Sequence, residues 1–152
     1  MSNEQSGPDV DGVRREQVVV RGDGRRVRVP HWATIVRIRV VGGASLGGVP
    51  GDVVEGVMSV RAGTSLRVDP GRPGSLEESD GGDTVVARDG SLVVSAAGGR
   101  DRRGASSRPG PLWNVRVARG RAAEASGAEL EFVGPDLPAP ALHSEQVLGA
   151  VG

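Results

Sequence analysis

The sequence predicts an all-β protein, a small antiparallel β-sandwich or barrel with glycine-rich turns. Three observations indicate this class. Of the 152 residues, 25 are Gly and 10 are Pro, which divide the chain into short elements. Only 2% of the residues are aromatic, so Val, Ala and Leu must build the core, and Val favours strands. Apolar and polar residues also alternate in several short segments, as in strands with one buried and one solvated face.

The first half of the chain contains a turn signal and a clear alternating segment. Residues 16–20 and 25–29 flank Arg21-Gly22-Asp23-Gly24, a pattern that predicts a β-hairpin. Residues 33–41 predict a strand with alternate valines and isoleucine inward and Arg37 and Arg39 outward.

Two further strands are predicted after this segment. Residues 52–60 are rich in Val, and Gly56 within them indicates a bulge or a close approach of another backbone. A turn at Gly63 precedes a short strand at 65–68. Residues 69–83 are polar and predict a long loop.

The second half predicts a hairpin and two more strands. Residues 84–88 and 91–96 are joined by Asp89-Gly90, a strong signal for a two-residue hairpin turn. Residues 112–118 predict a strand with Trp113 on the same face as its valines, and residues 129–133 predict the last strand. Residues 141–148 could form one or two turns of helix.

The domain organisation follows from these elements. We expect a flexible N-terminal arm at 1–15, a β domain at 16–134 and an extended, Pro-rich C-terminal segment at 135–152. The arm is polar and does not resemble a secretion signal, and no apolar run approaches the length of a membrane span.

The charges are balanced, which argues against two classes of partner. All 19 basic residues are Arg, against 19 acidic residues, and the signs are interspersed. The sequence therefore predicts no binding to nucleic acid or to a membrane surface. The use of Arg without Lys is typical of a GC-rich genome. Residues 98–111 carry four arginines, and the pattern leaves open a phosphate or polyanion contact beside a simple solvated loop.

No pattern in the chain points to catalysis, a cofactor or a metal ion. There is no Cys, and neither His31 nor His143 lies in a nucleophile motif. The acidic loop from Glu77 to Asp83 lacks the spacing of a helix-flanked calcium loop. Gly42-Gly43 lacks the register and the Lys of phosphate-binding loops. We therefore predict a protein that is not an enzyme.

Three side chains are candidate contact residues. Trp32, His31 and Trp113 could contact a partner, because Trp is common at the centres of interfaces. The alternative is a structural role: both Trp residues in the core, which is favoured for Trp113, and His31 in a turn. The structural turn glycines are predicted to be Gly42, Gly43, Gly47, Gly48, Gly63, Gly90, Gly98 and Gly99.

The stretch 27–104 resembles the glycine-rich domains of bacteriophage tail-tip and fibre proteins. The resemblance rests on the order of four motifs: Val29-Pro30 before a strand ending in Gly42-Gly43, the pair Gly47-Gly48, the unit from Val60 to Val68, and the final run from Gly90 to Gly99. Family members carry long glycine runs that pack as glycine-rich helices or loops. This chain has isolated pairs, so we expect a compact β scaffold in place of that packed glycine layer.

The resemblance implies a non-enzymatic virion structural protein of a bacteriophage with a GC-rich host. A minor tail or tail-tip protein, acting by protein–protein docking in a multi-copy assembly, is the expected role. Its partners would be other virion proteins, including copies of itself, and its location would be the virion. Two alternatives remain: a capsid decoration or head-fibre protein, and a carbohydrate-binding surface module whose partner is a host cell-surface glycan.

Overall fold

Ten β-strands and no helix make up the described part of the chain in a computed structural model. The structure describes residues 7–8, 12–100, 107–108, 110–121 and 124–136. The strands are β1 (Gly7–Pro8), β2 (Val13–Arg21), β3 (Arg25–Arg28), β4 (Ile35–Val41), β5 (Asp52–Ser59), β6 (Ser65–Asp69), β7 (Thr84–Arg88), β8 (Ser91–Ala96), β9 (Trp113–Arg119) and β10 (Gly127–Pro135). The predicted all-β class is confirmed.

The strands form two antiparallel sheets. The larger sheet has the order β1-β2-β10-β4-β5-β9, and the smaller has the order β3-β6-β7-β8. All the pairings are antiparallel. The architecture is consistent with a small β-sandwich, in which two sheets bury their facing sides.

The core lies between the sheets and is built almost entirely from aliphatic side chains. Phe132, the one Phe of the sequence, is fully buried together with Ile38, Leu66 and Leu130. Valines fill most of the remaining space, as the composition predicts. In β4 the valines and isoleucine alternate inward and Arg37 is exposed, as expected from the sequence pattern.

The predicted hairpin at residues 16–29 is wrong. Strand β2 belongs to the larger sheet and β3 to the smaller one, so the turn at Gly22, with φ of 78°, carries the chain across the core. Gly22 is a turn residue, as the sequence predicts, but the strands on either side of it pair with strands that are distant in sequence. β2 pairs with β10, and β3 pairs with β6.

The other predicted hairpin is confirmed. Strands β7 and β8 pair around Asp89 and Gly90, whose φ angles are 51° and 79°. Positive φ at both positions matches the type I′ turn that joins two antiparallel strands most tightly. The turn at Gly63 is also present, with φ of 86°.

The larger sheet extends into the predicted N-terminal arm. Strand β2 begins at Val13, and Gly7 and Pro8 pair with Arg15 and Arg14. The boundary predicted at residue 15 is therefore too late, because polar residues at a sheet edge carry no apolar signal. The interpretations of residues 101–106, of the extended segment beyond Asp136, of the helix at 141–148 and of His143 lie outside the described residues.

Closely packed glycines join the two sheets at one end of the sandwich. Three connections meet there, and we call them the glycine layer: residues 42–51, 71–82 and 97–99. Gly43 N donates to Gly82 O, Gly81 N to Gly99 O and Gly99 N to Gly43 O, at 2.7–2.9 Å. A Cβ on Gly81 would lie 2.0 Å from Gly43 O. The expectation that isolated glycine pairs would form no packed layer is wrong, because pairs from distant segments come together.

Candidate functional site

The outer face of the larger sheet carries a charged ladder across its central strands. Arg39 in β4 lies directly opposite Glu129 in β10 and Glu55 in β5, and Glu55 lies opposite Arg116 in β9. Directly opposed residues share a face of a sheet, so acidic and basic side chains alternate along this row. One row along, Glu131 lies opposite Arg37 and Gln17. We call this surface the outer ladder.

Ion pairs hold the side chains of the outer ladder in place. Arg39 Nε donates to Glu55 Oε2 at 3.0 Å, and its Nη2 pairs with Glu124. Arg21 Nη2 lies 2.9 Å from Glu129 Oε2, and Arg37 Nη1 lies 3.6 Å from Glu131 Oε1. Each exposed pair contributes little alone, at about 0.5 kcal/mol, but a linked network fixes the geometry of its members.

Arg39 is the best-anchored cation of this network. Burial lowers its pKa, but the hydrogen bond and charge of Glu124, together with Glu129 and Glu55, outweigh burial and raise the pKa above its ordinary value. Since the ordinary pKa of Arg already lies far above neutral pH, the guanidinium stays charged at any ordinary pH. The network therefore has a permanent positive centre.

A shallow groove of about 500 Å³ runs over the outer ladder and is open to solvent. We call it the outer groove. It is lined by Gln17, Arg37, Ile38, Arg39, Glu55, Gly56, Val57, Asn114, Glu129 and Glu131. All ten lining residues belong to strands of the larger sheet, so a rigid scaffold positions the polar groups. The groove combines guanidinium and amide donors with carboxylate and amide acceptors.

Trp113 lies beside this groove and not in the core. In the strand register Glu55 lies opposite Arg116, and Val57 lies opposite Trp113. Two steps along β5 therefore correspond to three along β9, so β9 contains one extra residue at this point. Asn114, with φ of 54°, marks the bulge. The extra residue turns Trp113 to the outer face, opposite Val57, and the residue is 44% exposed. The prediction that Trp113 shares a face with the valines of β9 is wrong, as is its core interpretation.

The free edge of strand β9 is the second exposed surface, because valines on the inner face of this strand are only partly covered. Val117 lies directly opposite Val54, so it shares the inner face of the sheet, yet Val54 is fully buried and Val117 is 49% exposed. Val115, two residues earlier, is 39% exposed. β9 is the last strand of its sheet, and within the described ranges no other strand pairs with its far side.

The other two candidate contact residues lie away from both surfaces. Trp32 is half-buried and packs against the core, while the guanidinium carbon of Arg14 lies 4.8 Å from its ring centroid. This geometry is a cation–π contact. His31 is exposed in the connection between β3 and β4. The structure therefore does not bring Trp113 together with His31 and Trp32 in a single site.

The predicted turn glycines divide into two groups. Gly48, Gly63 and Gly90 have positive φ, as turns require, and Gly47 is exposed beside Gly48. The other four, which are Gly42, Gly43, Gly98 and Gly99, are buried in the glycine layer. The sequence predicts the second group as turn residues. In the structure these four are glycines because other backbone segments pack closely against them.

The acidic loop and the first arginine of the Arg-rich loop pair with each other. Arg100 Nη1 lies 3.1 Å from Asp80 Oδ2, and its Nη2 lies 3.5 Å from Asp83 Oδ1. Asp83 also accepts a hydrogen bond from Gly98 N at 2.9 Å. These contacts hold the edge of the glycine layer. No group of three or more His, Cys, Asp or Glu side chains that could hold a metal occurs in the described part of the chain.

The sequence predicts the two arginines of β4 that belong to the outer ladder, but not their partners. The alternation in 33–41 placed Arg37 and Arg39 on the solvated face. Their partners Glu129 and Glu131 were not identified, although they alternate in the same way within the last strand. That matching alternation was the available signal, and only the strand pairing could show that the two segments are neighbours.

Comparison with known proteins leaves the outer groove and the β9 edge to be interpreted from their own geometry. No protein-family model matches the chain, and no curated protein matches it at a significant level. Among the described residues, no helix has the length and hydropathy needed to cross a membrane.

Proposed function

We propose that this chain is a non-enzymatic structural component of a bacteriophage virion, a minor tail or tail-tip protein that docks onto other copies of itself. The observation that carries docking is the β9 edge, where Val115 and Val117 extend the core face and are 39% and 49% exposed. Placement in a virion rests on the motif order that resembles phage tail-tip domains. The glycine layer supports that resemblance. Glycine backbones pack closely in those domains, and they also pack closely here, although the sequence has no long glycine runs.

A second copy of the chain is the occupant that the edge fits best. An unpaired strand edge presents a row of N–H and C=O groups, which a second strand can satisfy. If two β9 strands pair antiparallel about Val117, each Arg116 lies opposite Ala118 of the second copy. Pairing about Arg116 would instead set like charges against each other, which destabilises a sheet. Pairing about Val117 also places the two Val117 side chains together and removes them from water.

Substitution at Val117 tests the docking. We expect the chain to be dimeric or larger in sedimentation velocity at micromolar concentration. Val117→Lys places a charge in the paired strands and should shift the protein to the monomer by at least tenfold in the dissociation constant. Leu92→Lys is the matched control, because Leu92 is 44% exposed on β8 of the other sheet. A wild-type protein that stays monomeric, or two variants that dissociate equally, would contradict docking through β9.

The virion placement needs a separate experiment. An antibody against the chain should label the tail of phage particles in immuno-electron microscopy, at several copies per particle. Label on the capsid would contradict the tail assignment and support the capsid decoration alternative. Particles that contain none of the chain by mass spectrometry would exclude a virion role altogether.

A further inference from the structure

We infer that the outer groove is a binding site for a neutral oligosaccharide. The groove lies on the opposite face of the larger sheet from the exposed valines of β9, so it is not explained by docking. It also differs from a contact at Trp32, whose ring is packed against the core and contacted by Arg14. The inference is independent of the proposed virion role.

The polar groups of the groove suit hydroxyl groups better than ions. A sugar hydroxyl both donates and accepts hydrogen bonds, and the groove presents guanidinium donors, carboxylate acceptors and the amides of Gln17 and Asn114. The charged groups are already held by one another, with Arg39 fixed on Glu55 at 3.0 Å. A site whose side chains are ordered before binding loses less entropy when the ligand arrives.

The charge balance argues against an anionic ligand. The ion pairs of the outer ladder join four arginines, Arg15, Arg21, Arg37 and Arg39, to four glutamates, Glu55, Glu124, Glu129 and Glu131. Arg116, at the β9 end of the ladder, has no ion pair among the described residues, but it does not line the groove. A phosphate or carboxylate in the groove would have to separate arginines from these partners and would be repelled by the carboxylates released. A neutral polyol can bridge the pairs without breaking them.

Trp113 supplies the apolar surface that sugar recognition requires. Its half-exposed ring is on the outer face, opposite Val57, which lines the groove. The carbon–hydrogen face of a pyranose packs against an aromatic ring, and a Trp with one wet side is suited to this contact. The bulge at Asn114 is what places the ring on this face.

The dimensions fit a chain of sugars and not a single unit. The row from Gln17 to Trp113 crosses five neighbouring strands, β2, β10, β4, β5 and β9. At a spacing of about 4.8 Å between strands, the row is about 19 Å long. The groove of about 500 Å³ lies along this row and is open to solvent, so it can take an internal stretch of a longer polysaccharide.

A glycan array tests this inference. The full chain is labelled and applied to an array that carries neutral, N-acetylated and anionic oligosaccharides, and the best ligand is then titrated by calorimetry. We expect binding to neutral oligosaccharides, little affected by salt. Arg37→Ala and Trp113→Ala should each weaken it about tenfold, through a lost hydrogen bond or a lost stacking surface. Arg37 is 66% exposed, so its removal should not disturb the fold.

Controls separate the groove from general effects. Arg67→Ala and Leu92→Ala remove exposed side chains from the smaller sheet and should bind as the wild type does. Gln17→Ala tests the far end of the groove if Trp113→Ala lowers stability. Silence on the array, binding restricted to anionic glycans, or affinities unchanged in Arg37→Ala, Trp113→Ala and Gln17→Ala would each overturn the inference. Val117→Lys should retain glycan binding, which distinguishes failure of docking from failure of this site.

Discussion

Gly81 lies where three segments of the chain meet, and its α-carbon has no room for a side chain. Gly81 N donates to Gly99 O at 2.8 Å, and a Cβ would lie 2.0 Å from Gly43 O and 2.5 Å from Gly43 C. The obstacles are backbone atoms, which cannot rotate away as a flexible side chain can. At this position glycine is required by close approach and not by positive φ.

Substitution of Gly81 should therefore destabilise the protein more than substitution of its neighbour. Gly81→Ala forces two hydrogen-bonded backbones apart and should lower the free energy of unfolding by about 3 kcal/mol. Gly82→Ala is the matched control, because the nearest atom to its Cβ, Arg72 N, is 3.0 Å away, and we expect a loss of about 1 kcal/mol. Urea denaturation measures both values. Equal losses would contradict the close packing of the glycine layer.

Asp89, in contrast, is a residue whose backbone conformation restricts its identity. With φ of 51° it precedes Gly90 in the turn between β7 and β8. Asp and Asn tolerate this region, whereas a β-branched side chain clashes with the backbone.

Replacement of Asp89 tests the turn. Asp89→Val should lower the free energy of unfolding by about 2 kcal/mol, and Asp89→Asn should leave it nearly unchanged. The pair of variants is compared by thermal and urea denaturation. If Val were tolerated as well as Asn, the turn would not have the type I′ conformation.

At the scale of elements, the sequence predicts strands better than it predicts their neighbours. The alternation in β4 and the turn between β7 and β8 are local signals, and both are confirmed. The partner of β2 is β10, about a hundred residues away, and no local pattern encodes that choice. Two consecutive strands can also belong to different sheets, with the turn crossing the core between them. A glycine turn between two strands therefore does not by itself define a hairpin.

The same limit explains what was missed in the candidate site. Arg39 was expected on the solvated face, but its pairing with Glu55 and Glu124 depends on the register of three segments. The face of Trp113 depends on one extra residue at Asn114, and a shift of one residue moves a side chain to the other side of a sheet. The glycine layer likewise joins pairs that are isolated in the sequence.

In the whole molecule, the two sheets and the glycine layer are connected closely enough to unfold together. Thr84 connects them: its hydroxyl is fully buried, accepts a hydrogen bond from Gly71 N and donates one to Val41 O. Asp52 N of the larger sheet donates to Ala97 O, just after β8 of the smaller sheet. Since the core is also shared by both sheets, a single cooperative transition is expected for a domain of this size.

Truncation of Phe132 tests this cooperativity. Phe132→Ala removes the largest fully buried side chain and should lower the free energy of unfolding by about 4 kcal/mol, a large part of the 5–15 kcal/mol that is typical of a domain. In a Trp113→Phe background, fluorescence reports only on Trp32, which packs against the core, while far-ultraviolet circular dichroism reports on all the strands. Both signals should shift by the same amount, because β10 carries Phe132 in the larger sheet and its side chain fills a core that the smaller sheet also lines. A fluorescence transition that moved while part of the ellipticity kept its original midpoint would instead show that the sheets unfold as separate units.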